Sequence, residues 1–100
     1  MKKKVILYGS ADCPGCVDMK ALFDKEGIKY GYVDVLAGLA HLKKFLGVRD
    51  SYPEIYAEVQ AHGLVGIPTV VVDDTEVYIH PGPEVIEGLK TAQSNTAPEA

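Results

Sequence analysis

The chain has 100 residues, 47% apolar and 24% charged, with ten Lys and Arg against fourteen Asp and Glu for a net charge of −4. These values fit one soluble globular domain with a modest core. They exclude a general nucleic-acid binder, which needs a basic face to neutralise phosphates, and no apolar run approaches the ~18–20 residues of a membrane-spanning helix.

Met1-Lys2-Lys3-Lys4 has the charge of an export-signal start, but only four apolar residues follow where such a signal carries about 7–15. A cytoplasmic location is therefore expected; the chain is also expected to be a monomer. Val5-Ile6-Leu7-Tyr8 reads as a short buried strand. Gly9-Ser10-Ala11-Asp12 reads as a loop, and Pro14 suits the first turn of a helix. That helix is expected to reach about residue 26, turning Cys16, Met19, Leu22 and Phe23 inward, and Gly27 ends it. Residues 29–35 read as a second strand. Residues 36–46 read as a second helix with Leu39, Leu42, Phe45 and Leu46 as its apolar stripe.

Residues 47–52 read as a break, after which Pro53 starts a third helix with Ile55, Tyr56 and Val59 as apolar positions, closed by Gly63 and Gly66. Thr69-Val70-Val71-Val72 is the strongest strand; Asp73-Asp74 makes a turn and residues 75–79 return as its hairpin partner. His80-Pro81-Gly82-Pro83 forms a loop before a last helix over 83–91, with Val85, Ile86 and Leu89 apolar. A domain over 1–92 is expected, with a flexible tail over 93–100. The first two strands are joined by a crossover helix and so should be parallel. The fold class is α/β, a four-stranded mixed sheet flanked by helices.

Cys13-Pro14-Gly15-Cys16 holds both cysteines of the chain at a strand-to-helix junction. A C-x-x-C in this setting reads as a redox dithiol. Cys13 falls where unpaired backbone N–H groups and the positive end of the helix dipole stabilise a thiolate. Cys16, one turn on, is placed to attack a mixed disulfide. Pro14 has no N–H to offer, but Gly15 and Cys16 can aim theirs at the Cys13 sulfur, and Gly15 admits close backbone approach by a substrate. Asp12 opposes a thiolate if it points inward and is neutral to it as a solvated loop residue. The competing readings are two buried structural thiols or half of a tetrahedral metal site.

Gly66-Ile67-Pro68-Thr69 places a proline at the start of the strongest strand, where a missing ladder donor is tolerated. With the C-x-x-C upstream, this element order, and Tyr8 five residues before Cys13, the chain resembles the glutaredoxins of the thioredoxin superfamily over about residues 4–91. The resemblance implies the thioredoxin/glutaredoxin fold, a cis Ile67–Pro68 bond facing the dithiol, and an Ile67 backbone that pairs with an incoming disulfide. It implies a thiol–disulfide oxidoreductase with Cys13 as nucleophile and Cys16 as resolving thiol, and with Pro14, Gly15, Ile67 and Pro68 at the substrate. Its partners would be disulfide-containing proteins or small molecules. Electrons would come from glutathione as co-substrate or from a thioredoxin-reductase-type donor, with no resident cofactor or metal.

The chain also departs from the family. Gly15 stands where glutaredoxins usually carry Tyr or Phe, and Ser10 where they carry Lys or Arg. Tyr78-Ile79 and His80-Pro81-Gly82 replace the Gly-Gly pair and acidic residues that shape the glutathione contact. An insertion around residues 49–63 lengthens the path from Cys16 to Pro68. Arg49 is a candidate partner for a substrate carboxylate. His41 and His62 read as solvent-facing, whereas His80 lies in the loop expected to border the site. The alternative function is a metal or iron–sulfur cluster module built on Cys13 and Cys16, completed by His80, glutathione or a second subunit.

Overall fold

The structure is a computed structural model and describes residues 3–94. Its elements are β1 (Val5–Gly9), α1 (Pro14–Lys25), β2 (Gly31–Asp34), α2 (Leu39–Ser51), α3 (Pro53–Ala61), β3 (Thr69–Val72), β4 (Glu76–Ile79) and α4 (Pro83–Ser94). The strands form one sheet in the order β2-β1-β3-β4. β1 and β2 pair in parallel, and β3 runs antiparallel to both β1 and β4. This is the four-stranded mixed sheet of the thioredoxin/glutaredoxin fold.

Alternation along the strands divides the core between two faces. Val5 and Leu7 of β1 join Val70 and Val72 of β3 against Met19 and Phe23 of α1 and Ile86 and Leu89 of α4. On the opposite face Tyr8, Val71 and Val77 pack with Phe45 of α2 and Tyr56 of α3. The register sets Gly9 beside Asp34, Tyr8 beside Thr69 and Thr69 beside Ile79. The loops at residues 10–13, 35–38, 62–68 and 80–82 therefore gather at one end of the sheet, and both sequence motifs lie at that end, where the 10–13 loop enters α1 and the 62–68 loop enters β3.

Four expectations need correction. Gly9 is the last residue of β1 rather than part of the loop. The second helix starts at Leu39 and runs through Gly47 to Ser51 instead of breaking there. A single interior glycine costs only ~1 kcal/mol, which continued packing of Val48 against the core offsets. The break comes at Tyr52 (φ −129°, ψ 59°), because the residue before a proline is driven out of the helical region. Of the expected stripe on α2 only Phe45 is fully buried; Leu39 and Leu46 are exposed.

The fourth correction concerns the C-terminus. α4 continues to Ser94, and Gln93 belongs to the folded domain. Its side-chain oxygen accepts the Lys29 N–H at 2.8 Å, while its Nε2 donates to the Lys29 and Lys3 carbonyls at 2.8 and 3.3 Å. The primary amide thus bridges the starts of two strands. Residues 95–100 of the expected tail lie outside the described residues.

Candidate active site

Cys13 is the N-cap of α1, with extended backbone (φ −109°, ψ 112°). Its sulfur accepts the Cys16 N–H at 3.2 Å. Ser10 holds the turn that delivers it: the Ser10 carbonyl accepts the Cys13 N–H at 3.1 Å, and the buried Ser10 hydroxyl oxygen accepts the Asp12 N–H at 3.1 Å. Asp12 itself is exposed, the solvated alternative of the two weighed from sequence. Pro14, the first residue of α1, has no amide hydrogen to leave unpaired at the helix start.

Cys13 is half-buried and Cys16 only 1% exposed; both are free thiols. Burial pushes the Cys16 thiol up to about 12, helped by its hydrogen bond to Cys13, while the Ser10 backbone N–H acts in the other direction. Gly9 makes this burial possible. A Cβ on Gly9 would lie 2.9 Å from Cys16 Cβ and 3.1 Å from its Sγ. Gly9 is thus a site residue that the sequence reading placed in the wrong element.

Two consequences can be measured. In native protein at pH 7–9, iodoacetamide should modify Cys13 and leave Cys16 unmodified until the chain is unfolded; equal labelling of both would contradict the burial. Stability should also depend on pH through Cys16. Below its ordinary value near 9 the thiol is protonated in both states and contributes no slope. From about 9 towards about 12 the unfolded chain releases a proton that the folded one retains, so stability falls as pH rises. Tyr30, also raised to about 12 chiefly by burial, adds to the same fall. The urea midpoint of Cys16→Ala should consequently decline less steeply than wild type over that window.

Ile67–Pro68 is a cis peptide bond, as the resemblance implied. Pro68 is fully buried and Ile67 half-buried. Among the described residues neither the N–H nor the C=O of Ile67 makes a hydrogen bond. The segment is held from below by a buried relay. The Thr69 hydroxyl donates to the Gly66 carbonyl at 2.6 Å, so its oxygen takes the proton of the Tyr56 phenol at 2.8 Å. The Tyr56 phenol is raised above its ordinary value, first by burial, and stays protonated for this role. Tyr56→Phe should destabilise the fold by about 1–3 kcal/mol, since it strands a buried acceptor. Tyr78→Phe, which removes only an exposed bond to Glu76, should stay within about 0.5 kcal/mol in the same urea titration.

The sequence reading counted Tyr56 as an apolar position and missed this relay. A tyrosine on an apolar stripe and a threonine in a valine strand were the available signals, since each buried hydroxyl requires a partner.

His80 borders the site as expected. Its backbone N–H donates to the Pro68 carbonyl at 2.8 Å, and its φ is +48°. A Cβ on Gly15 would lie 3.3 Å from His80 Cε1, 3.5 Å from its Nδ1 and 3.6 Å from Pro68 Cδ. The imidazole therefore stands over the glycine of the C-x-x-C turn. Arg49 donates from Nη1 to the Val65 carbonyl at 3.1 Å, bracing the loop that leads into Pro68. His41 and His62 are exposed and sit against backbone carbonyls of Asp34 and Glu58. Among the described residues no group of three or more His, Cys, Asp or Glu is placed to hold a metal ion, and no helix is long and apolar enough to cross a membrane.

The family model described as Glutaredoxin matches residues 5–77, which include both cysteines and Pro68. An uncharacterized protein of Haemophilus influenzae (strain Rd) is 32% identical over 76 residues, spanning 76% of this chain and 87% of that protein.

Proposed function

The chain belongs to the glutaredoxin family, and from that premise we propose that it reduces protein or small-molecule disulfides through a Cys13/Cys16 dithiol cycle. The family domain supports oxidoreductase-like thiol chemistry in general. The particular cycle rests on one observation: a half-buried Cys13 whose sulfur caps α1 by accepting the Cys16 N–H at 3.2 Å, with the Cys16 side chain itself buried.

The Cys13 thiolate attacks one sulfur of a substrate disulfide R–S–S–R′. A Cys13–S–S–R bond forms and R′–S⁻ leaves, to be protonated to R′–SH. The negative charge on the attacking sulfur faces the Cys16 N–H and the start of α1. Cys16 then gives up its proton and attacks the Cys13 sulfur, releasing R–SH and closing the Cys13–Cys16 disulfide. The substrate gains two electrons and the enzyme dithiol loses them. A thiol pair restores the enzyme, either a dithiol protein or two glutathione molecules that leave as glutathione disulfide.

The delayed ionisation of Cys16 suits its second place in this order, because a protonated thiol does not compete for substrate. The Ile67 N–H and C=O are free to pair with the backbone beside the substrate sulfur, with Pro14 and Gly15 beside it and the buried Pro68 fixing the Ile67 segment from beneath. Because both thiols come from one chain, a monomer completes the cycle. A reducing compartment such as the cytoplasm supplies the returning electrons.

The test is stoichiometric. Reduced protein mixed with bis(2-hydroxyethyl) disulfide should lose both of its thiols, release two equivalents of 2-mercaptoethanol and end as an internal disulfide. Loss of one thiol with a permanent adduct, or no reaction at all, would overturn the proposal.

A further inference from the structure

A groove of about 370 Å³ runs between α1 and α4, at the small end of the ~300–1,000 Å³ range of ligand sites. Met19, Leu22 and Ile86 form its apolar floor, and Asp18 and Glu87 stand at its rim. His80, whose ring lies over Gly15, is also part of its wall. The groove thus opens one side chain away from the dithiol turn.

We propose that this groove is a substrate subsite for a lysine or arginine side chain next to the target disulfide of a polypeptide. The inference rests on the disulfide-reductase reading and adds a preference to it. Lys and Arg pair a long aliphatic stem with a charged head that seeks water or an anion. The groove offers the complement of both parts, an apolar trough for the stem and two carboxylates for the head. Among the described residues neither Asp18 nor Glu87 makes a hydrogen bond or an ion pair, although Glu87 lies within the field of the Lys90 charge. Glu26, the third acidic residue of the lining, is already held by Lys90 at 2.8 Å, which in turn neutralises that cation. The net charge of −4 favours approach of a basic segment.

The probes are three cyclic disulfide peptides that differ only in one residue beside the disulfide, arginine, alanine or glutamate. Their single-turnover reduction by the reduced protein is measured and each rate is divided by that with 2-mercaptoethanol, which removes intrinsic differences between the disulfides. At low ionic strength the arginine peptide should react about tenfold faster than the glutamate peptide, and the ratio should approach one near ~1 M salt. D18N/E87Q should bring the ratio to about one or two, with the rate on neutral bis(2-hydroxyethyl) disulfide unchanged. Equal normalised rates in wild type, or a preference that survives D18N/E87Q, would overturn the subsite.

Anisotropy of a labelled, disulfide-free form of each peptide keeps this question apart from the redox chemistry. Tighter binding of the arginine form to wild type but not to D18N/E87Q supports the groove even if no disulfide is reduced. Equal binding of all three contradicts the groove even if every disulfide is reduced.

Discussion

Cys13→Ser should lower disulfide reduction by on the order of a thousandfold or more, because a serine hydroxyl cannot replace the attacking thiolate. Cys16→Ser should behave differently. Its Cys13 can still open a disulfide, so the first thiol should leave at close to the wild-type rate. The second should not, and the protein should accumulate as a mixed disulfide that only added thiol releases. The asymmetry follows from position. Cys13 is only half-buried and receives the Cys16 N–H at 3.2 Å, whereas Cys16 is 1% exposed and its thiol is pushed up by burial. Release of both product thiols from Cys16→Ser, or full activity in Cys13→Ser, would show that the roles are misassigned. Paired release assays on the two variants give the answer without any knowledge of the natural donor.

Gly66→Ala should cost about 2–5 kcal/mol, the largest stability loss expected from adding a single methyl group. Gly66 has φ +102°, a conformation that L side chains rarely adopt, and its Cβ would meet two atoms of the fully buried Tyr56 ring at 2.9 Å. Neither can give way cheaply. The Tyr56 ring is fixed by Phe45 at an edge-on angle of 78° and by the hydrogen bond from its hydroxyl to Thr69. The Gly66 carbonyl accepts from Thr69 as well, so the methyl strains both ends of the relay that holds the Pro68 segment. Gly88→Ala is the control. Gly88 lies within α4 with nothing within 4 Å of an added Cβ, and the substitution should stabilise by about 0.5–1 kcal/mol. A urea titration of the two variants should move the midpoint in opposite directions. A neutral Gly66→Ala would mean that the loop is not braced as described.

Much of this architecture was legible in the sequence because local signals agreed with the global arrangement. The valine run of β3, the Asp73-Asp74 turn with φ of 53° and 64°, and the proline starts of α1, α3 and α4 each combine a residue type with one conformation. The dithiol was equally plain, since its spacing and its place after a strand are both local. What the sequence hid depends on contacts between distant segments. Leu39 and Phe45 look alike on a helical stripe, yet only Phe45 is buried against the sheet, its ring centre 5.9 Å from that of Tyr8. Gly9 resembles any loop glycine until Cys16 is packed against it. Gln93 sits in a polar stretch and acquires its role only when α4 brings it to Lys29, 64 residues away in sequence. The departures at Gly15 and His80 likewise meet only in space, where the imidazole stands against the position of a missing side chain.

The order of attack is the centre of the account, and quenching the wild-type reaction tests it directly. Reduced protein is mixed with a small disulfide, stopped with acid within milliseconds to seconds, and digested for peptide mass mapping. The transient adduct should sit on Cys13 alone and decay into the Cys13–Cys16 disulfide. An adduct on Cys16, or a protein disulfide that forms without any adduct on Cys13, would contradict it.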